Sequence, residues 1–414
     1  MNKKTLPFSV KTLNNVAEKF GTPFHLYDEN ILEKRANALK KTFERFPGFK
    51  EFFAVKATPT PKILKIFNSL GFGADASSLT ELVLSEKCGI VGEEIMFSSN
   101  GTKDEEFEKA VKLGAIINFD DISLADKFTQ AKLKINSNTA VSFRINPGSL
   151  KKGNALIGNP VEAKYGITLD QLIPAYEKIK NLGAKKFGIH TMVVSNELNE
   201  DSFPETAKIL IDCVLELKKK LNIDIDFINI GGGFGIPYKP EQAELNIENV
   251  ANKIYKLFQT NFGTQKWPKL FMENGRWLTA PAGFLVSRVN SRKDIYKKYV
   301  VLDSCMADLM RPAIYGAYHH ITIPERENSG QKEVVDIVGS LCENNDKFAI
   351  DREVPVSEIN DFVVIHDAGA HGRAMGFNYN GKLRTQEILL KKDGSFEQIR
   401  RRESIDDYLA TVIF

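Results

Sequence analysis

Between about residues 50 and 275, short apolar runs alternate with longer amphipathic stretches rich in Lys and Glu. Uninterrupted apolar runs suit strands buried on both faces, and the amphipathic stretches between them suit helices that carry the chain back across a parallel sheet. The runs fall at 51–55, 71–75, 94–98, 114–118, 140–145, 186–190, 225–230 and 269–272. Helix starts are marked between them: Thr60 precedes Pro61 as a cap before a first-turn proline, and Thr102 with Glu105 has the spacing of a capping box. Eight strand–helix units in roughly 225 residues predict a (β/α)8 barrel; an open, doubly wound sheet is the competing arrangement of the same pattern.

Past residue 283 the pattern changes. GFLVSRVN, IYKKYVVLD, EVVDIVG, DFVVIH and TQEILLK read as strands without long helices between them. They predict a separate β-sandwich or barrel-like domain. PFHLYDE (23–29) reads as one more strand, which joins that domain. The expected organisation is α/β plus β: a barrel over 30–282, with 1–29 and 283–414 forming the β domain.

Composition narrows the function. Of 414 residues, 43% are apolar and 26% charged, which fits a globular protein with a sizeable core. The 56 Lys and Arg against 53 Asp and Glu leave a formal charge of +3, too little to call for a nucleic-acid or membrane partner. Small-molecule chemistry is the expectation. Cys88, Cys213, Cys305 and Cys342 form no CxxC pair, which points to a reducing, cytoplasmic setting. MNKKTLPFSV lacks a following apolar segment, and no uncharged run approaches about 18 residues, so a soluble, unprocessed protein is expected. No metal cluster is expected.

In a (β/α)8 barrel the reactive side chains come from the carboxyl ends of the strands. Those ends here are polar: Lys56 after the first, Asp75 at the second, Arg144 near the fifth, His190 at the sixth. Gly231-Gly232-Gly233-Phe234-Gly235 follows the seventh, and Glu273 and Arg276 the eighth. A lone lysine after an apolar run is commonly a solvated strand end, and three glycines alone are commonly a tight turn. Together they read differently. Consecutive glycines let backbone N–H groups close around a phosphate, a lysine amine can bond an aldehyde, and a carboxylate can keep a pyridine nitrogen protonated. That set fits pyridoxal 5'-phosphate.

FFAVKA (52–57), GADASSLTEL (73–82), KYGI (164–167), GGGFG (231–235), ENGR (273–276), DSCMADLMRPAIYGAYH (303–319), GSLCENND (339–346) and DAGAHGRAMGFNYN (367–380) together resemble the fold-type III pyridoxal-phosphate decarboxylases, and within them the diaminopimelate branch. The resemblance runs in one order from about residue 20 to 410. It implies that Lys56 carries the cofactor; a nearby cofactor and the barrel mouth can lower the pKa of its ammonium. It also implies that Glu273 faces the pyridine nitrogen, an anion that favours decarboxylation over racemisation, and that Gly231, Gly232, Gly233, Ser195 and Tyr379 contact the phosphate. Arg276 would serve the phosphate or a substrate carboxylate, and Asp75 and Arg144 would form an opposite-charge pair near the lysine. The family implies a homodimer with shared sites, in which Cys342 donates a proton and Glu343 contacts the substrate's distal ammonium. Arg311 and Tyr315 would hold a distal carboxylate, and Tyr379 would also touch the amino-acid substrate. An arginine fork suits a carboxylate because it binds both oxygens.

Four positions depart from the family pattern. Met192 stands where the family carries a ring-stacking histidine, and His190, two residues earlier on the same strand face, is the possible substitute. ENGR replaces the usual EPGR. His371 and Arg373 add charge where the family is apolar or aromatic, with a solvated loop as the plain alternative. These departures leave room for a decarboxylase of another amino acid, such as a carboxylated siderophore or polyamine precursor, or for a non-catalytic relative that binds a partner protein.

Overall fold

The computed structural model describes residues 4–135, 138–154 and 156–414; the first three residues of the expected 1–29 segment lie outside it. The chain divides into two compact units. One comprises residues 35–236 and 244–277, the other residues 1–34, 237–243 and 278–414. Residues 237–243, expected within the barrel span, thus cluster with the β domain.

The first strand, β1 (Phe24–Asp28), belongs to the β domain. The next eight form a closed parallel barrel in chain order. They are β2 (Lys50–Ala54), β3 (Gly73–Ala76), β4 (Ile95–Ser99), β5 (Ile116–Phe119), β6 (Ala140–Arg144), β7 (Lys186–His190), β8 (Phe227–Asn229) and β9 (Lys269–Met272). β9 closes the barrel on β2 through Lys50↔Phe271 and Glu51↔Met272. Phe52, Met96, Ile116, Ala140, Phe227 and Phe271 fill its interior. Phe227 and Phe271 stack with centroids 4.5 Å apart. Gly188 on β7 makes room for this layer, since a Cβ there would sit 1.9 Å from the Phe227 ring.

The predicted runs and the observed strands coincide within one or two residues. The second run starts later, at Gly73, because Gly71 turns the chain with φ of +91°. Thr60 caps the helix Pro61–Ser69 as expected. The expected Thr102–Glu105 box is shifted by one residue. The helix runs Asp104–Leu113, Lys103 is its N-cap, and Glu106 accepts the Lys103 N–H at 2.8 Å, while the Thr102 hydroxyl turns back to the Ser99 carbonyl.

The β domain is a mixed sheet of nine strands rather than a plain sandwich. Its further strands are β10 (Gly283–Asp294), β11 (Lys298–Leu302), β12 (Ile321–Thr322), β13 (Lys332–Val338), β14 (Lys347–Pro355), β15 (Phe362–Ile365), β16 (Gln386–Leu390) and β17 (Phe396–Arg400). The expected N-terminal strand does join it: β1 pairs antiparallel with β10 and parallel with β16. The helix Val10–Phe20, capped by Ser9, packs Leu13 and Val16 against Phe24, Leu26, Phe284 and Ile388. No helix among the described residues is long and apolar enough to cross a membrane.

Candidate active site

The barrel places Lys56, Asp75, Arg144, His190, Glu273 and the glycine loop at one end, because each follows or ends a parallel strand. Lys56 lies in the helical turn Val55–Ala57 just beyond β2. Its ammonium is 3.5 Å from Asp75 Oδ2, and its side chain keeps 55% of its surface open while Asp75 is buried. Asp75, Glu273 and Glu81 hold Lys56 as an ammonium, with its pKa above the ordinary lysine value. In the chain without its cofactor, carboxylates thus outweigh desolvation at this amine. Burial and the neighbouring Glu273 push the Asp75 carboxyl upward in turn.

Asp75 and Arg144 do not pair with each other. Arg144 faces Asp120 at 3.7 Å, donates to the Met192 carbonyl at 2.8 Å and lies over the Tyr165 ring at 4.2 Å. The sequence reading joined the two charges because both sit near the lysine; each found a nearer partner.

Glu273 is held from three sides. His190 Nε2 lies 3.1 Å from Oε2, and Asn229 Nδ2 donates to Oε1 at 2.7 Å. Burial alone would raise its pKa, but His190, Lys56 and Asn229 together hold it below the ordinary glutamate value. Asn118 receives the Ser142 hydroxyl on Oδ1 and presents Nδ2 to His190 Nδ1 at 3.1 Å. That orientation assigns the ring proton to Nε2, where it is donated to Glu273. His190 is thus a hydrogen-bond partner of Glu273, buried inside the barrel. Asn118 and Asn229 went unread in the sequence, although an Asn inside AIINF or FINI must find buried partners, and that is their signal.

Asn229 also ties the glycine loop, accepting the Gly231 N–H on Oδ1 at 2.9 Å. Gly231 and Gly233 take φ of +69° and +96°. A Cβ on Gly232 would lie 2.1 Å from the Glu273 carbonyl, so the loop presses directly on the strand end that bears the carboxylate. Among the described residues the Gly233 N–H and the Ser195 hydroxyl make no hydrogen bond, and Asp75 Oδ1 is buried without one. Arg276 opens the helical turn Arg276–Thr279. A free amide in a glycine nest, a free hydroxyl, a lysine amine and the Glu273 carboxylate, held anionic, are the groups that pyridoxal phosphate needs, and these residues fit it.

The remaining candidates lie in the β domain. Cys342 is exposed, whereas Cys88, Cys213 and Cys305 are buried. Its N–H donates to Asn380 Oδ1 at 2.7 Å, beside Tyr379, which is half exposed. Glu343 accepts the Asn345 N–H at 3.1 Å. Asp346, which sequence reasoning passed over, braces this loop by accepting the N–H groups of Leu341 and Met306. Arg311 is buried, donates to His319 Nε2 at 2.9 Å and lies over the Tyr238 ring, while Tyr315 is exposed. His371 takes a left-handed φ of +55°. Arg373 is buried rather than solvated: it donates to the Thr385 carbonyl and lies near Glu387, and burial lowers its pKa to about 10.

A closed parallel barrel whose strand ends gather these groups defines a pyridoxal-phosphate enzyme of the barrel class. The chain belongs to the pyridoxal-dependent decarboxylases: residues 29–280 match the model of that family's pyridoxal-binding domain. It is 39% identical to Protein TabA of Pseudomonas amygdali pv. tabaci, over 97% of this chain and 93% of that one. It is 33% identical to diaminopimelate decarboxylase of Aquifex aeolicus, over 95% and 92%. The crystal structure of diaminopimelate decarboxylase from M. jannaschii in complex with L-lysine superposes with a TM-score of 0.88 at 31% identity, covering 97% of this chain and 94% of that one. The protein is a pyridoxal-phosphate-dependent amino-acid decarboxylase, similar to the diaminopimelate enzymes.

Proposed function

We propose that the substrate is an amino acid with a carboxylate at its far end, meso-diaminopimelate in the first place, converted to L-lysine and carbon dioxide. The observation that carries this reading is Arg311, a buried guanidinium held in place by His319 and Tyr238. A fixed, desolvated arginine serves a carboxylate and has no use for the ammonium of ornithine or lysine.

Bound at the barrel mouth, pyridoxal phosphate supplies an electron sink for the pair left when carbon dioxide departs. The chain's own residues do the rest. Lys56 bonds the cofactor, and Asp75 lies within reach of its proton. Glu273, kept anionic by His190 and Asn229, holds a proton on the pyridine nitrogen. Gly231 to Gly233 and Ser195, with Arg276 and Tyr379, grip the phosphate. Cys342 returns a proton to the substrate carbon and Glu343 meets the distal ammonium. These last two act from the partner subunit of a two-fold dimer, in keeping with the exposure of Cys342 on the single chain.

A second reading is favoured by Met192 and by the higher identity to Protein TabA than to the diaminopimelate decarboxylase of Aquifex aeolicus: decarboxylation of a different amino acid with a carboxylate-bearing end. Carbon dioxide release from meso-diaminopimelate, L- and D-lysine, L- and D-ornithine and carboxylated siderophore precursors separates the two. Preference for lysine or ornithine over every carboxylate-bearing substrate would remove both.

A further inference from the structure

Asn274, buried in the turn between Glu273 and Gly275, hydrogen-bonds through both its backbone and its side-chain polar groups. Its N–H donates to Glu51 Oε1, and its Nδ2 donates to Glu51 Oε2 at 3.3 Å. Its Oδ1 accepts the N–H of Phe234, in the glycine loop, at 3.3 Å. Its carbonyl accepts the N–H of Ala54, two residues before Lys56, at 3.3 Å. Glu51, Asn274 and Phe234 are all buried, so none of these groups can turn to water instead. Burial pushes the Glu51 carboxyl well above the ordinary glutamate value, which spares the site an uncompensated buried charge.

The junction has no slack. A Cβ on Gly275 would lie 2.6 Å from Ala57 Cβ, in the turn that bears Lys56. The glycine loop has neither helix nor strand to stiffen it. It is pinned by Asn229 at Gly231, by Glu197 at Gly235 and, between them, by Asn274 at Phe234. A proline at 274 has no N–H and no side-chain amide, so it can make neither the Glu51 contact nor the Phe234 contact.

We propose that Asn274, braced by the buried acid Glu51, is a positioning residue that registers the glycine loop against the Lys56 turn, fixing the separation between phosphate grip and lysine. The inference rests on the reading that Gly231–Gly233 hold the phosphate.

The test compares binding of pyridoxal phosphate and of pyridoxal, which lacks the phosphate, to the apo-protein by absorbance. Asn274→Ala should lose about tenfold in affinity for pyridoxal phosphate, the scale of one buried hydrogen bond, with pyridoxal affinity unchanged. Gly233→Ala is the control for the underlying reading. If it leaves the ratio of the two affinities unchanged, the loop does not grip the phosphate and both ideas fall. If Gly233→Ala changes the ratio and Asn274→Ala does not, or if Asn274→Ala weakens both ligands equally, the positioning role alone is overturned. Asn274→Pro with Glu51→Leu covers the case in which Asn274→Ala fails to fold. The apolar side chain no longer needs a donor, so the double variant should melt close to wild type yet keep the reduced ratio, because Phe234 N–H still lacks its acceptor. A wild-type ratio in the double variant counts against the proposal.

Discussion

Met192 Sδ accepts the backbone N–H of Gly232 at 3.2 Å. The residue that stands in the family's ring-stacking position therefore closes one amide of the glycine loop, while its own carbonyl receives Arg144. A thioether is a weak acceptor, worth on the order of 0.5–1 kcal/mol. Met192→Leu, which keeps the bulk and loses the acceptor, should weaken pyridoxal phosphate by no more than about fivefold in an absorbance titration. A loss of a hundredfold or more would show that the sulfur does more than complete the loop.

The proton on Lys56 sets a second expectation. Asp75, Glu273 and Glu81 raise the lysine's pKa, so its free amine is scarce at neutral pH in the apo-protein and grows as pH rises. Removing the largest cause, in Asp75→Asn, should move this titration to lower pH. Trapping of added pyridoxal by borohydride, followed by peptide mapping across pH, should label Lys56 and show the midpoint falling in the variant. A label on Lys62, or a midpoint that rises, would refute this.

Glu273 gives the opposite pH sign. Its folded-state pKa is depressed, so its contribution to stability is fully present above the ordinary glutamate pKa and is lost as pH falls through the lowered folded value. In His190→Phe the depression shrinks, so less stability should be lost on the acid side and the loss should be complete at a higher pH than in wild type. Melting temperatures of the apo-proteins between about pH 3 and 7 would show it. Asn229→Ala, which strands both Glu273 Oε1 and the Gly231 N–H, should cost about 1–3 kcal/mol at neutral pH.

The barrel was legible because its strands are buried on both faces and read as unbroken apolar runs. β14 (Lys347–Pro355) and β17 (Phe396–Arg400) were not, since KFAIDREVP and FEQIR carry charges on half-exposed strands and look like loops. In the site, Lys56, Glu273 and the glycine loop stood out as strand-end chemistry. The residues that aim them did not: Asn118, Asn229, Asn274 and Asp346 act through partners far away in sequence, which no local pattern encodes. Arg373, left open between a charge near the cofactor and a solvated loop, is of the same kind, because its burial depends on Thr385 and Glu387.

Shared sites are testable by mixing. Lys56→Ala and Cys342→Ala should each be inactive alone, and mixed dimers, with one intact site of two, should regain about half of wild-type activity, so that a randomly assorted mixture regains about a quarter. No recovery in dimers shown to be mixed by differential tagging would mean that Cys342 serves its own chain.

The last expectation concerns how Arg311 is aimed. His319 Nδ1 donates to the His366 carbonyl at 2.8 Å, which leaves Nε2 as the acceptor for the Arg311 Nη1 proton at 2.9 Å. One edge of the guanidinium is thereby occupied, and Tyr238 covers its face. If Arg311 binds the distal carboxylate, Arg311→Ala should cost on the order of 2–5 kcal/mol in kcat/KM on diaminopimelate, with the cofactor spectrum unchanged. His319→Ala removes one of the partners that aim the arginine, so its loss should be smaller, about 1–2 kcal/mol, and should fall on KM for carboxylate-bearing substrates. A substrate without the distal carboxylate separates aim from fold. Its poor turnover should be unaffected by His319→Ala, and an equal loss on both substrates would make His319 a support of the β domain and not of specificity.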